Sequence, residues 1–203
     1  MSKPRRIGVF GGTFDPVHEA HLDIARAALS QAGLDLVLFV VSARPPHKYA
    51  GPLAPPQDRY DMVAAAIASE SQMGVSRIEL DREGPSFMVE TMEELSAHFA
   101  DASFWLILGM DSLVDFPRWK EPAGILRLAN ILVVPRPGEW KAPPELEGHY
   151  ELLPFSETRL SSTEVRRRIE AREPLDLIVP PAVMAIIQDR GLYGTRRIGP
   201  TGH

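Results

Sequence analysis

The stretch Gly11-Gly12-Thr13-Phe14-Asp15-Pro16-Val17-His18-Glu19-Ala20-His21-Leu22 decides how the rest of the chain is read. It follows Ile7-Gly8-Val9-Phe10, an apolar run of strand length, and leads into Leu22, Ile24, Ala25, Ala28 and Leu29 at helical spacing. A strand is thus joined to a helix by a turn. Gly11 and Gly12 let the backbone approach a ligand closely or take positive φ, and Pro16 fixes the path into the helix. His18 and His21, three apart at the helix start, project from one face beside the positive end of the dipole. Such a turn suits a phosphate.

Working outward, Gly33 is placed to stop the first helix, and Leu36 to Val41 is a continuous apolar run, expected as a buried parallel strand. The proline-rich, basic segment from Ser42 to Pro52 is incompatible with regular structure. Pro56 to about Glu70 has a helical pattern through Met62, Val63, Ala66 and Ile67, and Val75 to Leu80 reads as a third strand. After a turn at Asp81 to Pro85, Ser86 is expected to cap a helix running through Phe99. Ser103 to Gly109 is the fourth strand and ends in Gly109-Met110-Asp111-Ser112. Ile125 to Ala129 reads as helical, Ile131 to Val134 as the fifth strand, Glu139 to Gly148 as an exposed loop, and Tyr150 to Leu153 as a last strand. Helical patterns at Ser162 to Arg172 and Pro181 to Asp189, the second closed by Gly191, complete the chain, and the residues from Arg196 on are expected to be loose.

Strands alternating with helices predict a single α/β domain over residues 1–203. Its core is a doubly wound, mostly parallel sheet of Rossmann-like type, with a small C-terminal helical part at about 156–195. The turns after the first, second, fourth and fifth strands then converge at one sheet edge, where open α/β sheets bind ligands.

The composition narrows the partners. With 22 Lys and Arg against 27 Asp and Glu, the formal net charge is −5, so neither nucleic acid nor an anionic membrane surface is drawn to the chain as a whole, and an anionic ligand must be held by local groups. The absence of cysteine excludes disulfide and thiolate chemistry and fits a reducing compartment. No apolar segment approaches transmembrane length and the basic N-terminus lacks a signal-peptide core, so a cytoplasmic location is expected. Self-association with copies of the same chain is left open.

Three motif readings compete for the opening stretch. A zinc protease site needs histidines four apart, and here Leu22 stands where the second ligand belongs; a P-loop needs a terminal Gly-Lys-Ser/Thr, and a dinucleotide fingerprint needs G-x-G-x-x-G. The third reading fits: residues 11–21 resemble the G-G-x-F-[DN]-P-x-H-x-G-H segment of the nucleotidylyltransferase superfamily. Leu160-Ser161-Ser162-Thr163-Glu164-Val165-Arg166 resembles its second signature, I-S-S-T-x-[IV]-R. Between them Pro45-Pro46-His47-Lys48, Pro85-Ser86-Phe87 with Glu90-Thr91, Gly109-Met110-Asp111-Ser112-Leu113, Phe116-Pro117-Arg118-Trp119 and Arg136-Pro137-Gly138 resemble the bacterial nicotinate-nucleotide adenylyltransferase branch.

The resemblance implies adenylyl transfer from ATP to nicotinate mononucleotide, with magnesium, giving nicotinate adenine dinucleotide and pyrophosphate by direct in-line attack without a covalent enzyme intermediate. The attacking phosphate is already charged, so catalysis reduces to positioning two anions and neutralising charge on the α-phosphate and leaving group. By the same resemblance His18, His21 and Arg166 are catalytic, with His21 rather than His18 on the α-phosphate at the transition state. Gly11, Gly12, Thr13, Phe14, Lys48, Gly109, Asp111, Ser162 and Thr163 bind ATP and its phosphates, with Asp111 suited to a ribose hydroxyl. Ser86, Phe87, Trp119 and Arg136 bind the mononucleotide, Trp119 by stacking on the pyridine. Backbone donors near Ser86, Phe87 and the residue after Trp119 would accept a carboxylate and leave an amide's NH2 unpaired.

Ser161 with Glu164 reads as a capping box, which starts a helix and leaves its N-terminus free to hold an anion. Phosphopantetheine adenylyltransferase chemistry and a nicotinamide mononucleotide preference are the rivals within the superfamily, and a nucleotide sensor without turnover is the rival outside it. Ala20 departs from the glycine frequent before the second histidine, and its methyl is expected to press toward the bound nucleotide.

Overall fold

The computed structural model describes residues 5–45, 54–138, 140–155 and 160–195. The chain opens with β1 (Arg5–Gly12), α1 (Glu19–Gln31), β2 (Leu36–Val41), α2 (Pro56–Ala66) and β3 (Met73–Ser76). Two helices, α3 (Ile78–Asp81) and α4 (Met88–His98), precede β4 (Ala102–Gly109). Then come α5 (Met110–Asp115), a 3-10 turn (Phe116–Arg118), α6 (Pro122–Leu128), β5 (Ala129–Val134), β6 (Tyr150–Leu152), α7 (Ser162–Ala171) and α8 (Pro181–Arg190).

The strands form one sheet in the order β3-β2-β1-β4-β5-β6, and every pairing is parallel. The chain winds outward from β1 to β3 on one side and from β4 to β6 on the other. The direction therefore reverses between β1 and β4, where crossovers leave toward opposite faces and open a crevice beyond the strand ends. Helices cover both faces, which is why the strands read as unbroken apolar runs.

Alternation along each strand divides the side chains between two cores. Val37, Phe39, Val41, Trp105 and Ile107 pack with Leu22, Ala25, Met62, Val63, Val165, Ile169, Val183 and Ile187 from α1, α2, α7 and α8. Ile7, Val9, Leu38, Val40, Leu106 and Leu108 pack with Val89, Met92, Leu95, Leu113 and Ile125 from α4, α5 and α6. Each fully buried aliphatic side chain contributes about 1.5–3 kcal/mol relative to exposure.

Several elements depart from the sequence reading. The third strand is Met73–Ser76, and residues 78–81 are helical. The ladder with β2 ends at Val40↔Ser76; the Ser76 hydroxyl then accepts the Ile78 N–H at 3.2 Å, and the Leu80 and Asp81 N–H groups both bond the Arg77 carbonyl. Local capping overrides the weak alternation, and it turns Glu79 inward, where it is 3% exposed. Ser86 caps nothing: α4 begins at Met88 after Phe87, and Ser86 instead exchanges two bonds with Arg44, accepting its N–H at 3.1 Å and donating its own at 3.0 Å. Helix α2 stops at Ala66 rather than near Glu70, and α6 starts earlier than expected, at Pro122, whose missing N–H suits a first helical position. The loop beyond β5 contains a 3-10 turn at Pro144–Leu146 that buries Leu146. The expected loose end from Arg196 lies outside the described residues.

Candidate active site

Gly11 and Gly12 belong to β1, paired with Val40 and Val41, so the turn begins one residue later than the glycines suggest. Positive φ falls on Phe14, at 48°. A Cβ on Gly12 would stand 2.9 Å from the Phe14 ring, so glycine here makes room for an aromatic folded under the strand end. That ring is 2% exposed and lies 5.5 Å from Phe10, 5.4 Å from Phe39 and 5.1 Å from His21, centroid to centroid. The Asp15–Pro16 peptide bond that follows is cis.

Asp15 is fully buried. Its Oδ1 accepts the Ala54 N–H at 3.1 Å and the Tyr193 hydroxyl at 2.7 Å, and its backbone carbonyl accepts Arg166 Nη1 at 2.7 Å. Arg59, 1% exposed, donates Nη1 to the carbonyls of Thr13 and Ser42, both at 2.7 Å, and Nε to the carbonyl of Ala54 at 2.9 Å. One guanidinium thereby fixes the loops after β1 and β2 together. Neither Arg59 nor Tyr193 figures in the sequence reading. Arg59 had a visible signal, since it shares the helical stripe of Met62, Val63 and Ala66, where a charge has no business unless its donors are used.

His18 is the N-cap residue of α1 and His21 lies in its first turn. Their rings stack with centroids 3.8 Å apart and an interplanar angle of 28°. The His18 N–H donates to His21 Nδ1 at 3.2 Å, the bond a capping-box glutamate makes to the N-cap residue. Accepting at Nδ1 leaves a neutral His21 with its proton on Nε2 as a donor. Desolvation, followed by His18 and then Arg136, holds the His21 pKa well below the usual value. Burial, with Arg136 second, lowers His18 to about 4. Two neutral imidazoles therefore stand at a helix N-terminus, and the buried Nδ1 of His18 has no partner among the described residues.

The second signature meets the first directly. At the start of α7 the Ser162 hydroxyl donates to the Pro16 carbonyl at 2.9 Å, beside the Arg166 bond to Asp15. Arg166 Nη2 also reaches Thr163 Oγ1 at 3.2 Å. Only half of the expected capping box forms: Ser161 Oγ accepts the Glu164 N–H at 3.2 Å, while the Glu164 carboxylate turns out to Arg167 and Arg168. Those two cations hold its pKa down to about 2.

The opposite wall comes from β4, β5 and α4. A Cβ on Gly109 would lie 2.6 Å from Asp111 Oδ1, and the same oxygen is 3.3 Å from Arg136 Nε. Trp119 packs on Phe116 at 5.3 Å, and Lys120 Nζ lies 4.6 Å from the centroid of the Phe87 ring. Glu79 accepts the Thr91 hydroxyl at 2.8 Å, and burial pushes its pKa up.

These walls enclose a cleft of about 750 Å³ at the carboxyl ends of the central strands, a volume suited to a nucleotide-sized ligand. Gly11, Gly12, Thr13, Phe14, His18, His21, Gly109, Asp111, Ser162, Thr163 and Arg166 line it, as do Ser86, Phe87, Trp119 and Arg136. Ala20 lines it too and is 7% exposed, so its methyl stands at the wall with little free space. Lys48 lies outside the described residues. Among those residues no group of three or more His, Cys, Asp or Glu is arranged to hold a metal ion, and no helix is long and apolar enough to cross a membrane.

The family model for cytidylyltransferase-like proteins matches residues 9–168. A Thermus thermophilus protein named "Probable nicotinate-nucleotide adenylyltransferase" is 42% identical over 190 residues, 93% of this chain and 99% of its own. A Chromobacterium violaceum protein of the same name is 38% identical over 208 residues, covering 93% and 98%. In fold, the chain is similar to Plasmodium falciparum nicotinic acid mononucleotide adenylyltransferase complexed with NaAD, with a TM-score of 0.77 at 18% identity over 95% of this chain and 98% of the other.

Proposed function

Since the chain belongs to the nicotinate-nucleotide adenylyltransferase family, within the cytidylyltransferase-like proteins, we propose that its cleft joins ATP to nicotinate mononucleotide by direct in-line attack, with no covalent enzyme intermediate. The oxygen of the mononucleotide 5′-phosphate forms a bond to the α-phosphorus as the bond from that phosphorus to the bridging oxygen of the β-phosphate breaks. Pyrophosphate leaves, and nicotinate adenine dinucleotide remains. The step needs no protein nucleophile, because the attacking phosphate already carries its charge. It needs alignment and donors aimed at developing negative charge.

The observation that carries this reading is the joining of the two signature stretches. Arg166 and Ser162 bind the carbonyls of Asp15 and Pro16, at 2.7 and 2.9 Å, and bring the N-terminus of α7 to the cleft that α1 already faces. Two helix N-termini on one cleft suit a triphosphate. In this reading His21 donates Nε2–H to the α-phosphate, His18 supports it, and Ser162, Thr163 and Arg166 hold the β- and γ-phosphates. Gly11, Gly12, Thr13 and Phe14 shape the floor, Lys48 is assigned to the ATP phosphates, and Gly109 with Asp111 receives the ribose. Ser86, Phe87, Trp119 and Arg136 hold the mononucleotide. Magnesium enters as part of the substrate, carried on the ATP phosphates, where it would offset part of their charge.

Pyrophosphate release measured with Mg-ATP and, in turn, nicotinate mononucleotide, nicotinamide mononucleotide and phosphopantetheine tests the proposal. Release is expected to be fastest with the first. No release with any of the three would overturn the reading, and faster release with phosphopantetheine would move the chain to another branch of the superfamily.

A further inference from the structure

Four lysine or arginine side chains line the cleft among the described residues: Arg118, Lys120, Arg136 and Arg166. Arg166 is fixed on the Asp15 carbonyl and Thr163. Arg136 pairs with Asp111 on the histidine side of the cleft. Arg118 is 86% exposed and pairs with Asp115 within its own turn. Lys120 differs from all three. It follows Trp119 directly, its ammonium lies 4.6 Å from the centre of the Phe87 ring, and it pairs with Glu90 at 2.6 Å. Its ammonium thus sits against a ring at the aromatic end of the cleft, in an ion pair free to change partner.

That freedom is built into the surroundings. The Lys120 and Glu90 side chains are 42% and 34% exposed, and an ion pair so open to water holds weakly. Glu90 Oε2 also lies 3.6 Å from Arg82 Nε, so departure of the ammonium leaves Glu90 with a countercharge. The Phe87 face keeps the ammonium at the cleft lip when Glu90 releases it. Among the other carboxyls nearby, Glu79 is already engaged by Thr91, with Arg82 beside it, and Glu121 and Glu93 act on the Lys120 charge less strongly than Glu90 does.

We propose that Lys120 determines the choice of the acid over the amide, its ammonium leaving Glu90 to pair with the carboxylate of the pyridine ring. The assignment rests on the adenylyl-transfer reading above and adds a charged side chain to the backbone donors. Lys120 has only donors to offer, and its ammonium forms a full ion pair with a carboxylate but only an ion–dipole bond with an amide carbonyl, so the amide gains less from the same group.

Kinetics of pyrophosphate release with each mononucleotide at saturating Mg-ATP test it in the full-length wild type, K120M, K120R and E90Q. The ratio of kcat/KM for nicotinate over nicotinamide mononucleotide is expected to fall about tenfold or more in K120M, which keeps the stem and removes the charge, and to stay within about threefold of wild type in K120R. E90Q is expected to lower KM for nicotinate mononucleotide about twofold or more, because the competing carboxylate is gone. An unchanged ratio in K120M, a loss shared equally by both substrates, or an unchanged or raised KM in E90Q overturns the proposal. A wild type that releases no pyrophosphate with either mononucleotide overturns the adenylyl-transfer reading itself, and that failure shows before any variant is compared.

Discussion

His21 reaches the cleft as a neutral donor because its other nitrogen already accepts the His18 N–H. Its replacement by alanine is expected to lower kcat by roughly 10²-fold or more with the fold intact, as for loss of a transition-state donor; steady-state rates beside a circular dichroism spectrum check this. Trp119→Ala should raise KM for the mononucleotide far more than for ATP, and equal rises would argue against stacking on the pyridine. His18 makes a separate prediction about pH. Its pKa falls from 6.5 to about 4 on folding, so between those values the unfolded chain binds more protons and stability declines as pH falls. The loss is about 3 kcal/mol across the window. His18→Asn, which keeps a favourable N-cap residue, should remove that part of the slope when urea melts at pH 7.5 and 4.5 are compared with wild type. The histidines were legible in the sequence because their spacing falls on a helix start; which ring nitrogen carries the proton was not, since that depends on a bond set by the turn's backbone.

Elements were legible in proportion to how completely they are buried. Strands β2, β4 and β5 are covered on both faces, and their apolar runs announce them. Strand β3 pairs with β2 alone and has only four residues, so its alternation was too weak to separate it from the turn of helix that follows. Ser86 misled for a related reason: a serine before a helical pattern is a good cap, but here its hydroxyl serves Arg44. Arg59 shows what pattern reading passes over. Arg59→Leu fills similar space and leaves the Thr13, Ser42 and Ala54 carbonyls without their donor, which should cost about 3 kcal/mol or more and lower Tm by roughly 6–12 °C in a calorimetric scan. Because the same guanidinium ties two ligand loops, KM for ATP should rise in the folded fraction.

At the scale of the molecule, the two signatures were recognisable apart, but their mutual hydrogen bonds were not, because no local pattern encodes a contact between residues 15 and 166. The winding of the sheet brings the ends of β1 and β4 together, and α7 then docks across the opening. ATP at a hundred times its Kd should stabilise the wild type by about 2.7 kcal/mol, seen as a rise in Tm. In Arg166→Gln that rise should shrink, because the variant loses both the link to Asp15 and a phosphate ligand; an undiminished rise would show that Arg166 does not touch ATP.

The separation of these partners also bears on synthesis. Asp15 is made well before Arg166 and Tyr193, which hold it and follow 151 and 178 positions later. A nascent chain that has exposed every residue through Leu152 owns all six strands and neither anchor. Since domains acquire structure as they emerge from the ribosome, the sheet is free to assemble first while the nucleotide loop waits for the tail. A chain interrupted between Leu152 and Arg166 therefore has the strands of the sheet and lacks both groups that hold the nucleotide loop in place.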